Sequence, residues 1–385
     1  MTSTPRRIVF LGTHGQHNIG DELLLETFLT RLGSEHRYVV NSYDPDGTRR
    51  QLGDRFDVEV IDTARDRILL LRRLLTCDLL CFGGGSIVKE LYASTGRHRH
   101  STLLMLLGVV TFAHLVARRP IAMLHIGVGP LRTRLGRRLA RTILKQVDEL
   151  TVRDGLSLET CRRIGVDAAR VPDAVFSHDR ADLLPGTPPD AVRGERLRIA
   201  LNLNIDIEAP ERWEPFLDAL AAALLAVGAQ RPIELHALPM QIGFKARDDA
   251  EVLDAFAARV PDLPFVRHRP GDAAAVARIL EDCDALVGER LHAVVLASVL
   301  GVPSYVLAYD VKVRELVSIL GLDEWSVDIN RPFDPGVLSE RLVALLDRRA
   351  AVSESVAARA DELRGETLAA FTAARAWIDS AGGTA

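Results

Sequence analysis

The chain has 385 residues, 48% hydrophobic and 26% charged. That is globular composition, at a length that suggests two domains and a core large enough to need no staples. Four cysteines (Cys77, Cys81, Cys161, Cys283) lie far apart or in apolar runs without metal-ligand spacing. They read as reduced core thiols of a cytoplasmic protein and leave no basis for a disulfide framework or a metal site. The net charge of −4 hides an asymmetry: residues 1–175 carry 26 Lys/Arg against 19 Asp/Glu, the remainder 22 against 33. Aromatic residues are few and not interleaved with the basic stretches, which speaks against nucleic-acid binding.

The N-terminus reads as a first strand, Ile8–Leu11, rather than a signal peptide. The loop Gly12–Glu22 (GTHGQHNIGDE) follows, with a helix over Glu22–Leu32. Its glycines and Asn18 let backbone N–H groups approach a ligand, and a helix start favours an anion. It is not a dinucleotide fingerprint, and Asp21 and Glu22 also suit a plain helix N-terminus. Strands are predicted at Tyr38–Asn41, Val58–Ile61 and Leu79–Phe82, the last running into Gly83, Gly84, Gly85 and Ser86. Ser101–Ala117 is apolar but marginal for a membrane span and reads first as a buried helix, with a helix dipping into a membrane surface as the alternative. The strand Ile121–Ile126 leads to GVGP. The arginine-rich helix Arg132–Lys145 is either a solvated face or a surface for phosphates or anionic lipid. After Leu150–Val152 comes Arg153, where a guanidinium fork can hold carboxylate or phosphate or make an interdomain salt bridge; Asp154 or Ser157 can cap the next helix. A short strand, Ala169–Val171, leads to Asp173.

Residues 179–196, with three prolines and two glycines, read as a linker. A second series follows: strand Arg198–Asn204, helix Trp213–Val227, strand Ile233–Ala237, helix Asp248–Val260, strand Phe265–Val266 and helix Ala273–Cys283. The strand Ala285–Val287 runs into Gly288-Glu289-Arg290-Leu291-His292 and a small-residue helix. Arg290 and His292 at such a junction suit anion binding and proton transfer. Ser304–Leu307 precedes YDVK, where Lys312 is a further anion ligand or a solvated lysine. The tail from Pro335 is helical. Apolar strands each followed by a helix indicate parallel sheets covered on both faces. The fold class is therefore α/β, with two Rossmann-like doubly wound domains facing a cleft. The expected division is 1–180, a linker at 181–196, 197–334, and C-terminal helices over 335–385 returning to the first domain.

NIGDE, DLLCFGGGS, GVGP, VRDGLS, VPDAVF, GERLH and GVPSYVLAYDVK, in that order over residues 8–322, resemble the polysaccharide pyruvyl transferase family. The resemblance implies a glycosyltransferase type B-like architecture, phosphoenolpyruvate as donor, no cofactor, and a glycan or lipid-linked sugar as acceptor in cell-surface polysaccharide synthesis. It implies that Arg290 and His292 match the family's phosphoenolpyruvate-site arginine and histidine and Arg153 its second arginine, with Leu291 and Lys312 on the donor side. Asn18, Gly20, Gly84, Gly85 and Ser86 would line substrate or acceptor loops, with Asp21 or Glu22 as base. The histidine-rich THGQH departs from the family's usual loop and leaves the acceptor open. Membrane-surface contact on the cytoplasmic side is compatible with this picture. The competing expectations are a glycosyltransferase with a nucleotide-sugar donor and a non-catalytic anion-binding protein on the same scaffold.

Overall fold

The computed structural model describes residues 4–91, 98–186, 195–205, 210–244 and 247–381. Most of the expected linker, 187–194, lies outside them. By their internal contacts the residues form two units: Met1–Gln16, Asp21–Ala174 and Gly365–Ala385 make the first, His17–Gly20 and Val175–Arg364 the second.

The first unit alternates strand and helix: β1 (Arg7–Leu11), α1 (Ile19–Leu32), β2 (Arg37–Ser42), α2 (Pro45–Leu52), β3 (Asp57–Asp62), α3 (Arg67–Thr76), β4 (Leu79–Gly83), α4 (Ser101–Thr111), β5 (Ile121–Ile126), α5 (Arg134–Leu144), β6 (Glu149–Val152), α6 (Gly155–Arg163) and β7 (Ala169–Arg170). The strands form one seven-stranded sheet in the order β3-β2-β1-β4-β5-β6-β7, parallel throughout. All of β4 and β5, and β1 after Arg7, are buried without alternation, as a sheet covered on both faces requires.

The second unit contains α7 (Arg180–Leu183), β8 (Leu197–Asn202), α8 (Trp213–Gln230), β9 (Ile233–Ala237), α9 (Asp249–Ala257), β10 (Phe265–Arg267), α10 (Ala273–Glu281), β11 (Ala285–Gly288), α11 (Leu291–Val299), β12 (Ser304–Ala308), α12 (Val311–Leu320), β13 (Ser326–Asp328) and α13 (Pro335–Asp347). Its six parallel strands run β10-β9-β8-β11-β12-β13. Both sheets are doubly wound, as expected. α13 packs on α8 within this unit. The last helix, α14 (Arg349–Ala381), contributes its residues from Gly365 onward to the first unit. There Phe371 packs edge-on against Phe28 and stacks on His125.

Eight helix starts follow one chemical rule. Asp44, Thr133, Asp154, Asp179, Asp248, Asp272, Asp310 and Asp334 each accept a backbone N–H of the following turn, satisfying donors that have no partner inside the helix. Each such cap fixes where a strand-to-helix loop ends, and so fixes the loop's side chains at the carboxyl ends of the strands.

All four cysteines are buried free thiols. Burial pushes Cys77 and Cys161 up to about 11 and Cys283 to about 12, so they are unreactive core residues. The apolar segment Ser101–Ala117 is not wholly buried. α4 and the π-helical turn Phe112–Ala117 bury Leu103, Leu106, Val110 and Ala113 but expose Leu104, Met105, Leu115 and Val116. No helix among the described residues is long and apolar enough to cross a membrane.

Candidate functional site

Open α/β sheets bind ligands at the carboxyl ends of strands where the strand order reverses. In the second unit that point lies between β8 and β11. Asn202, the last residue of β8, is completely buried, and its amide spans the junction. Its Nδ2 donates to the Leu238 carbonyl at 2.8 Å and its Oδ1 accepts the Arg290 N–H at 2.8 Å. Glu289, also fully buried, accepts both the backbone N–H and the Nδ2–H of Asn204 at 3.0 and 2.6 Å.

Arg290 is the N-cap residue of α11. Its guanidinium is already held: Nε donates to Asp249 Oδ2 at 3.0 Å, Nη2 to Asp249 Oδ1, and Nη2 also to Gln241 Oε1 at 3.3 Å. Asp249 is in turn fixed by the backbone N–H groups of Met240 and Gln241, both at 3.1 Å. A two-point fork on a carboxylate that is itself hydrogen-bonded sets the arginine's direction before any ligand arrives. The start of α11 has no side-chain cap, so its dipole favours an anion there.

His292 is half-buried on the first turn of the same helix. The loop 17–20 packs beside it: Asn18 pairs with Gln241 in an isolated antiparallel bridge, and Ile19 N–H donates to the Met240 carbonyl at 2.9 Å. Gly20 lies flat against the imidazole. A Cβ at position 20 would stand 2.1 Å from His292 Nδ1 and 2.8 Å from its Cβ. The second unit thus brings Asn18, Gly20, Arg290, Leu291 and His292 together. Lys312 instead pairs with Asp310, the cap of its own helix, at 3.3 Å.

In the first unit the order reverses between β1 and β4, and both strands end in glycine-bearing loops. Gly84 and Gly85 have φ of +61° and +68°, the left-handed region that favours glycine. Gly83 fits only because it has no side chain, since a Cβ would meet the Phe10 ring at 2.2 Å. Ser86 Oγ accepts from Arg153 Nη2 at 3.3 Å, and Arg153 Nη1 donates to Asp173 Oδ2 at 2.8 Å. Burial alone would lower the arginine's affinity for its proton. Asp173, Asp154 and Asp21 together outweigh that and hold it above the ordinary value. Asp21 therefore shares the electrostatic field of Arg153. Glu22 is used differently: its Oε1 accepts the Gly15 N–H at 2.8 Å and so shapes the loop.

The histidine-rich loop divides. His14 is buried, stacked on Phe10, and donates from Nδ1 to the Asn41 carbonyl at 3.1 Å. Burial lowers its pKa to about 4, so it is a neutral core residue. His17 belongs to the second unit, near Phe244. His125, not singled out from the sequence, sits at an irregularity in the β5–β6 pairing with φ of +51°. It is buried, donates from Nδ1 to the Pro172 carbonyl at 2.7 Å beside Asp173, and its pKa is lowered by burial.

Asp249, Gln241, Asn202 and Glu289 also went unremarked in the sequence as site residues. The only local signal was that Asn202 ends an apolar strand as a polar residue. Among the described residues, no group of three or more His, Cys, Asp or Glu is placed to hold a metal ion.

The sequence model for polysaccharide pyruvyl transferases matches residues 18–311, most of the chain, leaving out residues 12–17 of the first loop and Lys312. The chain belongs to the polysaccharide pyruvyl transferase family. A relative within polysaccharide synthesis is the amylovoran biosynthesis protein AmsJ of Erwinia amylovora, 25% identical over 283 residues. That alignment covers 67% of this pyruvyl transferase family chain and 66% of AmsJ, slightly under two thirds of its length. Two solved structures share the fold. HepE of Anabaena, solved with UDP and glucose, aligns with a TM-score of 0.67 at 14% identity, covering 97% of this chain and 100% of that one. A glycosyltransferase from Rickettsia africae ESF-5 aligns at 0.62 and 11% identity, covering 99% and 100%. At these identities the likeness is one of architecture, the glycosyltransferase type B-like arrangement of two doubly wound domains.

Proposed function

We propose that this chain transfers a pyruvyl group from phosphoenolpyruvate to hydroxyls of a glycan or lipid-linked sugar in the synthesis of a surface polysaccharide. The observation that carries the reading is Arg290, fixed by Asp249 at the uncapped start of α11 with His292 two residues on. A pre-oriented guanidinium and a helix N-terminus suit a compact trianion, and a histidine beside them suits protonation of a carbon.

In this reading Arg290 and the α11 N-terminus bind the donor. Protonated His292 gives its proton to the donor's CH2 carbon, and the C2 centre becomes oxocarbenium-like. A sugar hydroxyl adds to C2 and loses its proton to a carboxylate. Asp21 is the proposed base, since Glu22 is engaged with Gly15 and Asp21 directly follows Gly20, which packs on His292. The C2–O bond to phosphate then breaks. A second hydroxyl closes the ketal, and its proton leaves with the phosphate or returns to His292. Arg153, steadied by Asp173, is proposed as a second anion-binding group of the family's chemistry.

Calorimetry of the purified protein with phosphoenolpyruvate tests the donor. Binding is expected, lost in Arg290→Ala, while His292→Ala retains binding and lowers kcat by roughly 10²–10⁴. Binding of a UDP-sugar with none of phosphoenolpyruvate would replace this reading with nucleotide-sugar glycosyl transfer.

A further inference from the structure

Beyond the strand-end loops, the first unit carries an apolar surface that its own core leaves uncovered. α3 exposes Ile68, Leu71 and Leu75, at 71%, 36% and 46% of their full area, spaced to lie on one face. The π-helical turn that packs on α3 exposes Leu115 and Val116, at 62% and 60%. α4, continuous with that turn, adds Leu104 and Met105, and α5, packed on α4, adds Leu135. Eight large apolar side chains on mutually packed helices exceed the scattered exposure expected of an ordinary surface.

The charge on the segments that carry them is of one sign. Residues 67–76, 98–119 and 131–147 contain no Asp or Glu, although the chain has 52, and they contain twelve Lys or Arg. Arg72, Arg118, Arg134, Arg138 and Lys145 are exposed. The surface is also pre-formed. Glu90 accepts the N–H and the hydroxyl of Thr133 at 2.9 and 2.6 Å, and His100 Nε2 donates to Thr133 Oγ1 at 2.9 Å. This knot joins the residue that starts α4 to the residue that caps α5, so the two helices present their exposed sides together.

We propose that this face of the first unit docks on an anionic bilayer leaflet, with the apolar side chains entering the interfacial region and the arginines meeting lipid phosphates. Charge complementarity selects this occupant. A polyanionic nucleic acid would satisfy the arginines but offers nothing to exposed leucine, isoleucine and methionine. An acidic protein would have to supply an equally large apolar face. Since no described helix can span a bilayer, the mode is peripheral. The inference does not depend on the pyruvyl-transfer reading.

The test is co-sedimentation of the whole protein with vesicles of phosphatidylcholine plus phosphatidylglycerol, against phosphatidylcholine alone, at low and high sodium chloride. Two double variants accompany it, Arg134→Glu with Arg138→Glu and Leu104→Ser with Leu115→Ser, all at exposed positions. The wild type should sediment with the anionic vesicles. The charge variant should bind about tenfold or more weakly at low salt, and the apolar variant about tenfold more weakly at either salt. Hydrogen exchange of the wild type needs no variant: anionic vesicles should slow residues 104–119 and leave α13 unchanged. Failure of the wild type to bind anionic vesicles, binding by both variants as tight as that of the wild type, or protection elsewhere would overturn the proposal. Self-association abolished by the apolar pair would assign the face to a second copy. RNA binding sensitive only to the charge pair would assign it to nucleic acid.

Discussion

The two units solve one problem with different materials. Each presents a doubly wound parallel sheet, and each places an arginine after a strand and steadies it with a buried aspartate, Arg153 with Asp173 and Arg290 with Asp249. At the point of strand reversal they part. The first unit offers glycine backbone, around Gly12 and Gly83–Gly85, backed by a neutral buried histidine. The second offers side chains: Asn202, Glu289, Arg290 and His292. Net charge does not mark this position, because Arg290, at a switch point, sits in the acidic half of the chain. Function on this architecture depends on a few strand-end residues rather than on the sheet or the overall charge.

The aspartates give the sharpest contrast. Asp249 holds Arg290 by two bonds and accepts two backbone N–H groups besides, so Asp249→Ala should destabilise the second unit by about 3–5 kcal/mol. Asp173 accepts from Arg153 Nη1, and that arginine also has Asp154 and Asp21 nearby, so Asp173→Ala leaves its charge compensated and should cost about 1–3 kcal/mol. Denaturant unfolding of both variants measures this; equal losses would mean that the two clamps are equivalent.

Acid should distinguish the units next. A pKa of about 4 in the fold against 6.5 unfolded means that the unfolded chain binds the His14 proton first. The stability that goes with neutral His14 is intact above pH 6.5 and is lost as pH falls toward 4, about 3 kcal/mol in full. The lowered pKa of His125 acts in the same direction and the same unit. Thermal melting between pH 7 and 4.5 should therefore show a steep loss that is shallower in His14→Asn. An unchanged slope in that variant would remove His14 from the account.

Two glycines test the loops themselves. At Gly20→Ala the new Cβ displaces the root of the His292 side chain, costing about 1–3 kcal/mol and lowering kcat with it. At Gly85→Ala there is space, the nearest atom being Thr13 Oγ1 at 3.4 Å, but the left-handed φ costs about 1–2 kcal/mol. Turnover should separate them, since only the first moves the histidine. Lys312→Ala should do least, about 0.5 kcal/mol or below in stability, because its ion pair with Asp310 is partly exposed. A large rise in the KM for phosphoenolpyruvate would instead return Lys312 to the donor site.

Much of this was legible in the sequence. Unbroken apolar runs such as Leu79–Phe82 and Ile121–Ile126 announce strands buried on both faces, because such strands have no polar side to show. The aspartates and the threonine before helices mark where loops stop, Asp154 directly after Arg153 among them, while Arg290 and His292 stand out by lying between an apolar strand and a small-residue helix. The short strand β13 was missed, three residues having too little pattern to register. α1 begins at Ile19 rather than Glu22 because its first residues are set by Met240 and Gln241, far along the chain.

What the sequence determined by itself was the alternation, the two-sheet architecture, the family, and the residue types at the strand ends. These follow from local periodicity and from chemistry written in adjacent positions. What only the tertiary structure decided was partnership: Asp249 with Arg290, Asp173 with Arg153, Glu22 with Gly15, Gly20 with His292, and the burial that makes His14 neutral. Such pairings join residues that no periodicity relates. The protonation and orientation of a polar group are set by what surrounds it in space, and the chain brings those neighbours together only on folding.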